Sequence, residues 1–270
     1  MKIGVSYNLF DGEELLEGSI KSIRENVDYI SVVYQKISNF GNECSEELLP
    51  LLKELKEKKL IDELLEYRPN LKNGGSLNEL TKRNLGVYLS QSNGCTHHLA
   101  MDSDEYYISE EFEYMKNIIE EEGYDSAACQ MVTYYKEPLY RLDPKEEYYV
   151  SLLFKIENNK EFIIGHPFPV LVDPTRRMKN TNCKIFKREE IEMHHMSYVR
   201  NKINSKFNNS SAKVNFSSTI NELITYYEKW EYPQKALVAG NPNTFFNVVK
   251  EENKFEIKLN KNEYTSTTME

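Results

Sequence analysis

Cysteine is scarce: four residues in 270, Cys44, Cys95, Cys129 and Cys183, lie far apart with no CxxC pair. That excludes a cysteine-built zinc site and a disulfide scaffold, and it fits reduced thiols in a cytoplasm. Long apolar runs are missing too, and none is long enough to span a bilayer. The opening MKIGVSYNLFDGEE turns acidic by Asp11, with no basic leader and no long apolar stretch, so no signal peptide is expected. Basic charge is in deficit, with 34 Lys+Arg against 43 Asp+Glu and a net charge of −9. Sequence-independent binding of nucleic acid or of an anionic membrane needs a basic face and is therefore disfavoured. Local basic clusters can still grip a phosphate. Internal repeats are absent.

What remains is a globular composition, 40% apolar and 29% charged, with enough chain for a sizeable core. The 19 tyrosines fit either genome base composition or a sugar-stacking surface. Residues 2–7 read as a buried strand. A helix follows, with Asp11 as cap, Glu14 completing a capping box, and Leu16, Ile20, Ile23 and Val27 at helical spacing. VDYISVVYQ reads as a second strand, SEELLPLLKELKEKKLIDELLEY as a long amphipathic helix, and the segment near Leu65 to Tyr67 as a short extended piece. Ser76-x-x-Glu79 forms another capping box for the helix LNELTKRNLGVYLSQS, which stops at Asn93-Gly94. After the strand at CTHHLAMD come the helix SEEFEYMKNIIEEE and the strand SAACQMVTYY. This alternation implies a mostly parallel α/β sheet flanked by helices. In the second half, YYVSLLFKI, EFIIGHPFPVLV and NCKIFKREEI read as shorter strands of an antiparallel elaboration. Asp-Pro, Asn158-Asn159 and Asn-Thr-Asn turns separate them. STINELITYYEKW reads as a helix.

The stretch CTHHLAMDSDEYY raises the functional question, because an apolar strand finishes in Asp102, Asp104 and Glu105. In α/β sheets ligands gather beyond the C-terminal strand ends. In an extended chain Asp102 and Asp104 project together, and their repulsion is relieved by a hard divalent cation, Mg²⁺ or Mn²⁺. The plainer reading is a solvated turn before the next helix. A second cluster, MHHMSYVR, carries His194 and His195 in a chain with only five histidines. A neutral imidazole can complete a carboxylate site, most readily for Mn²⁺; a hydrogen-bonded buried pair is the alternative. His97 and His98 are read as packing residues.

YNLFDGEELL, VDYISVVYQ, KRNLGVYLSQSNGCTHHLAMDSDEYY and HHMSYVR together resemble glycosyltransferases of the GT-A fold, similar to the family 2 type, over roughly residues 1–212. The resemblance implies a Rossmann-like, mostly parallel central sheet with a smaller antiparallel C-terminal elaboration. It also implies one domain over 1–260, with a nucleotide-binding half (1–108), an acceptor-side half (109–260) and a polar tail (261–270). Asp102 and Asp104 match the family's Asp-x-Asp, and His195 matches the third metal ligand, with His194 as the alternative. The implied donor-binding set is Ser6, Tyr7, Asn8, Gln35, Arg83, Asp102, Ser103 and Arg176. Lys82 and Asn84 flank Arg83 in a segment that contacts base or phosphate. The implied reaction moves a sugar from a nucleotide-diphosphate donor, UDP-linked, to a hydroxyl acceptor on a glycan or glycoconjugate, with Mn²⁺ or Mg²⁺ as cofactor.

Chemistry alone supports the need for a cation: a departing diphosphate must have its charge neutralised. Lys82, Arg83 and the Arg176-Arg177 pair in VDPTRR can add donors, with ordinary surface charge the plainer reading for Lys82 and Arg177. An inverting transfer also needs a carboxylate base. Asp143 and Asp173 are equal candidates, with Glu137 behind them, and a retaining enzyme would need none. Three other readings stand beside this one. A nucleotidyltransferase would carry a glycine-rich basic loop where this chain has acidic YNLFDGEE. A phosphohydrolase would place its Asp-x-Asp on the first strand. A carbohydrate-binding protein would need neither nucleotide nor metal. The sugar, the acceptor and the stereochemical outcome stay open.

Overall fold

The computed structural model describes residues 1–157 and 160–259. The Asn158-Asn159 turn and the tail expected over 261–270 lie outside the described residues. The chain opens with β1 (Ile3–Leu9), α1 (Glu13–Ile23), β2 (Tyr29–Tyr34), α2 (Leu48–Glu57), β3 (Glu63–Glu66), α3 (Gly75–Ser92) and β4 (His97–Asp102). It continues through β5 (Glu105–Tyr106), α4 (Ser109–Glu122), β6 (Ser126–Tyr135), β7 (Tyr140–Asp143), β8 (Tyr149–Lys155) and β9 (Cys183–Ile185). β10 (Glu192–Tyr198), α5 (Ile203–Asn209), α6 (Ile220–Lys229), β11 (Ala236–Val238) and β12 (Thr244–Lys250) complete it. Among the described residues there are thus six helices on one twelve-stranded mixed sheet.

The central order is β11-β12-β7-β6-β8-β4-β1-β2-β3. β3, β2, β1 and β4 run parallel, β8 lies antiparallel between β4 and β6, and β10 pairs parallel with β6. Strand alternation sorts the core. Ile30, Val32, Leu99 and Met101 face α1, α2 and α4, packing with Leu16, Leu52 and Phe112. Tyr29, Val33 and Ala100 face the other way, against Val87 and Leu89 of α3. Helices therefore cover both faces of the parallel region. Gly86 lets α3 sit close on β1, because a Cβ there would overlap Ser6 Oγ.

Several local expectations fail for identifiable reasons. α1 is capped by Gly12 with φ 76° and no side-chain cap. Asp11 instead accepts from Ser205 Oγ (3.3 Å), and Glu14 accepts from the Asn201 amide (3.0 Å). α3 begins at Gly75, ahead of Ser76, so no capping box forms there. EFIIGHPFPVLV contributes only an isolated Phe162–Met178 bridge: Pro167 and Pro169 lack the donor a ladder requires, and Gly165 turns at φ 82°. NCKIFKREEI keeps three strand residues, β9, and these pair parallel with β6, not antiparallel. The helix expected over SEELLPLLKELKEKKLIDELLEY ends at Glu57, where the chain turns through Lys59 at φ 59° before β3. β11 and β12, which extend the sheet beyond β7, have no counterpart in the sequence-based expectation. Among the described residues no helix is long and apolar enough to cross a membrane.

Candidate active site

β1, β2 and β4 end side by side, with Asn8 in register with Asp102, and the chain after β2 delivers Gln35. These ends form the floor of a cavity of about 350 Å³. Asn8, Gln35, Asp102, Ser103, Asp104 and His195 line it, and Lys82, Asp173, Arg200 and Lys206 complete the polar wall. The roof comes from the segment after β10, including Phe207, Ser211 and Phe216.

Asp102 and Asp104 do not share one extended strand. β4 stops at Asp102, and Ser103 and Asp104 form a turn, so the projection expected from i and i+2 spacing does not apply. Each carboxylate meets its own set of cations. Asp102 shares the parity of Ala100, the α3 side of the sheet, where Arg83 reaches both its oxygens at 3.3 Å. Arg176 adds a 2.6 Å bond to Asp102 Oδ2, and the same guanidinium grips Glu105 at 2.6 and 2.9 Å. Burial acts to raise the Asp102 carboxyl, but Arg83 and Arg176 outweigh it and hold the group below its ordinary range. Glu105, only 4% exposed, is pushed up to about 7, chiefly by burial.

Asp104, 2% exposed, looks toward the chain's later segment. Its Oδ2 accepts from Arg200 and, at 2.8 Å, from Lys206 on α5. Those two cations overcome the upward push of burial, and the carboxyl stays well below the usual range. Its Oδ1 faces His195 Nε2 at 3.7 Å, too far for a hydrogen bond. β5 makes this encounter by pairing antiparallel with β10, setting His195 opposite Glu105. Burial pulls the His195 imidazole down to about 4, so the ring is neutral at neutral pH. Arg200 fits because Gly12 carries no side chain; a Cβ there would overlap the guanidinium.

The remaining candidates divide clearly. His194 points to the opposite face of β10, bonded through Nδ1 to Tyr134 Oη (2.9 Å) and edge-on to Phe255. Tyr7 is fully buried beside Ser19, and Ser6 packs under Gly86, so neither lines the cavity. Their positions in the middle of a strand covered on both faces explain this. Arg83 and Arg176 are buried behind Asp102 and do not form the cavity lining. Asn84 holds the Phe162 backbone through two hydrogen bonds, and Arg177 bonds loop carbonyls. Asp173 lines the cavity, whereas Asp143 sits on β7 paired with Arg141 at 3.0 Å, and neither it nor Glu137 lines it. Asp173 Oδ1 accepts from the Thr175 amide and hydroxyl, both at 2.7 Å. Lys206 and Arg200 escaped sequence reasoning, because nothing local to either residue signals a partner about a hundred residues away.

Among the described residues, no three His, Cys, Asp or Glu side chains are grouped to hold a metal ion. The pair Asp104 Oδ1 and His195 Nε2 nevertheless suits two ligand positions of a divalent cation. The oxygen carries no hydrogen bond, the ring is neutral, and 3.7 Å is a span that two metal–ligand bonds of about 2.1 Å can cover.

No protein-family model matches the chain, and no curated protein matches it in sequence. Solved structures similar in shape include S. aureus TarS residues 1–349, at 12% identity and TM-score 0.46, covering 77% of this chain and 63% of that one. The same TarS fragment in complex with UDP aligns over 49% of this chain and 36% of that one, at 15% identity and TM-score 0.37. A mannose-1-phosphate geranyltransferase from Thermus thermophilus aligns over 57% and 50%, at 15% identity and TM-score 0.31. The chain spans less than two thirds of the length of each of these proteins.

Proposed function

We propose that the cavity binds a nucleotide-diphosphate sugar, UDP-linked, and that the chain transfers the sugar to a hydroxyl acceptor as a divalent-metal-dependent glycosyltransferase of the GT-A type. One observation carries the reading. A free carboxylate oxygen and a neutral imidazole nitrogen face each other beyond the C-terminal ends of parallel strands, the place where α/β sheets collect nucleotides. Asp104 and His195 would hold Mn²⁺ or Mg²⁺, whose role when bound is to neutralise the charge of the departing diphosphate. Two protein ligands suffice where substrate phosphates fill other positions.

The chain's own residues do the rest. Asn8 and Gln35 at the strand ends offer amides to the nucleoside. Asp102, fixed on two arginines and with its side chain 36% exposed, presents an anionic acceptor for ligand hydroxyls. Asp173 is the carboxylate able to take a proton from the acceptor hydroxyl, since Thr175 fixes its orientation and the cavity exposes it. A panel of nucleotide sugars screened with Mn²⁺ by thermal shift tests this. At least one UDP-linked donor should raise the melting temperature, because a ligand that binds only the folded state stabilises it. A panel without any shift rejects the proposal.

A further inference from the structure

One cation in the cavity wall has nothing to hold. Lys82 is 3% exposed, and among the described residues its ammonium has neither a hydrogen bond nor an ion pair. It lies one helical turn after Glu79 on α3, so both side chains face the cavity, while Arg83 turns to Asp102 and Thr175. Glu79, Asp102 and Asp11 lie near enough to act on it electrostatically but do not touch it. Burial outweighs their pull and lowers the ammonium below the ordinary lysine range. The side chain is withdrawn from bulk water and its ammonium opens only into the cavity, so it is placed to donate to whatever the cavity holds. Among the described residues three further polar atoms in the same wall lack partners: Arg200 Nη1, Asn8 Oδ1 and His195 Nδ1. Two of these four unmet groups, Lys82 and Arg200, are cationic donors, which calls for an anionic, oxygen-rich ligand.

We infer that Lys82 is a phosphate-binding residue whose ammonium donates directly to the diphosphate of the ligand, resting on the nucleotide-diphosphate reading of the same cavity. Cations then meet the ligand from two sides. Lys82 approaches from α3, and the Asp104–His195 side approaches from the turn after β4. The aspartates alone would repel a diphosphate; the lysine supplies attraction that exists before any metal is loaded.

Calorimetric titration of UDP and of inorganic pyrophosphate, both with Mg²⁺, into the wild type and Lys82→Met tests the inference. Loss of one charge-assisted contact should weaken both probes by about 10- to 100-fold in the variant. Pyrophosphate has no base, so its loss reports a phosphate contact. If Lys82→Met binds pyrophosphate like the wild type, the inference falls while the nucleotide reading stands. If the wild type binds pyrophosphate but not UDP, the anion site stands and the nucleotide reading falls. Binding of neither probe overturns both. A second measurement guards against a variant that does not fold. In wild-type chain carrying ¹³C-labelled lysine, pyrophosphate should shift the resonance that Lys82→Arg deletes, and an unmoved resonance overturns the inference.

Discussion

Two aspartates two residues apart live in different electrostatic worlds. Asp102 belongs to a buried lattice on the α3 side, where Arg83 and Arg176 also secure Glu105, Thr175 and the Ala100 carbonyl. Asp104 belongs to the cavity, where Arg200 and Lys206 reach across from the segment after β10 and leave one oxygen uncommitted. The first arrangement is a clamp that fixes the floor of the site. The second leaves an Asp104 oxygen facing the His195 ring, the pair proposed to hold a divalent cation. The two aspartates thus sit in two settings joined by a turn, one clamped by arginines and one held from the far segment.

The sharpest way to break this comparison is to remove the clamp. Arg176→Met strands the buried Glu105 and removes one of the two arginines on Asp102, and should cost about 3–5 kcal/mol. Thermal unfolding should show a drop of roughly 10 °C. A change within a degree or two would mean the lattice is ornamental.

Next comes Asp104→Asn, chosen over alanine because alanine would leave the buried Arg200 guanidinium only the Ser197 carbonyl at 3.4 Å. Turnover of a UDP-linked donor should fall on the order of 10²–10³-fold, in the range seen for losing one electrostatic transition-state contact. Steady-state kinetics in Mn²⁺ checks it, with cooperative unfolding as the control. Undiminished turnover would remove Asp104 from the chemistry.

A third test uses pH on the Asp102 side of the sheet. His98 is fully buried against Ser90 Oγ (2.8 Å), and burial lowers its imidazole to about 3. A depressed histidine contributes stability that is complete above its unfolded value near 6.5 and is lost as pH falls toward the folded value. Between about pH 6 and 4 this group alone should remove about 1.4 kcal/mol per pH unit. Denaturant midpoints for His98→Gln should show a correspondingly flatter acid limb. An unchanged slope would assign the acid sensitivity elsewhere.

The smallest effect is expected at Lys206. Lys206→Met leaves Arg200 on Asp104, so stability should change by about 1 kcal/mol. With one counter-charge gone from the carboxylate, Mn²⁺ should bind several-fold more tightly in a calorimetric titration. Weaker Mn²⁺ binding would mean that the lysine supports the site rather than competing for its charge.

The alternating first half was legible because its signals are local. Apolar runs such as Ile3–Leu9 and helical spacing at Leu16 and Ile20 specify elements without knowledge of partners. The aspartates and His195 could be picked out for the same reason: unusual residues at a strand end and in an apolar run. The caps mislead because Asp11 and Glu14 have long-range partners near residues 201–205 that outcompete the local box. The resemblance assigns Ser6 and Tyr7 to the donor, yet a strand covered on both faces offers only Asn8, near its end, to the cavity. Lys206, Arg200 and the β5–β10 pairing depend on contacts across about a hundred residues, and no local pattern encodes such contacts. The resemblance puts Lys82 in a segment that contacts base or phosphate, surface charge is the plainer reading, and its burial on α3 separates the two.

Titration of UDP into the wild-type chain, once with Mn²⁺ and once with EDTA, tests the central claim most directly. Saturable binding that is at least about tenfold tighter with Mn²⁺ is the expected result, equivalent to about 1.4 kcal/mol of cation-linked affinity. Equal affinity in both buffers, or no binding in either, would contradict a cation-assisted nucleotide-diphosphate site at Asp104 and His195.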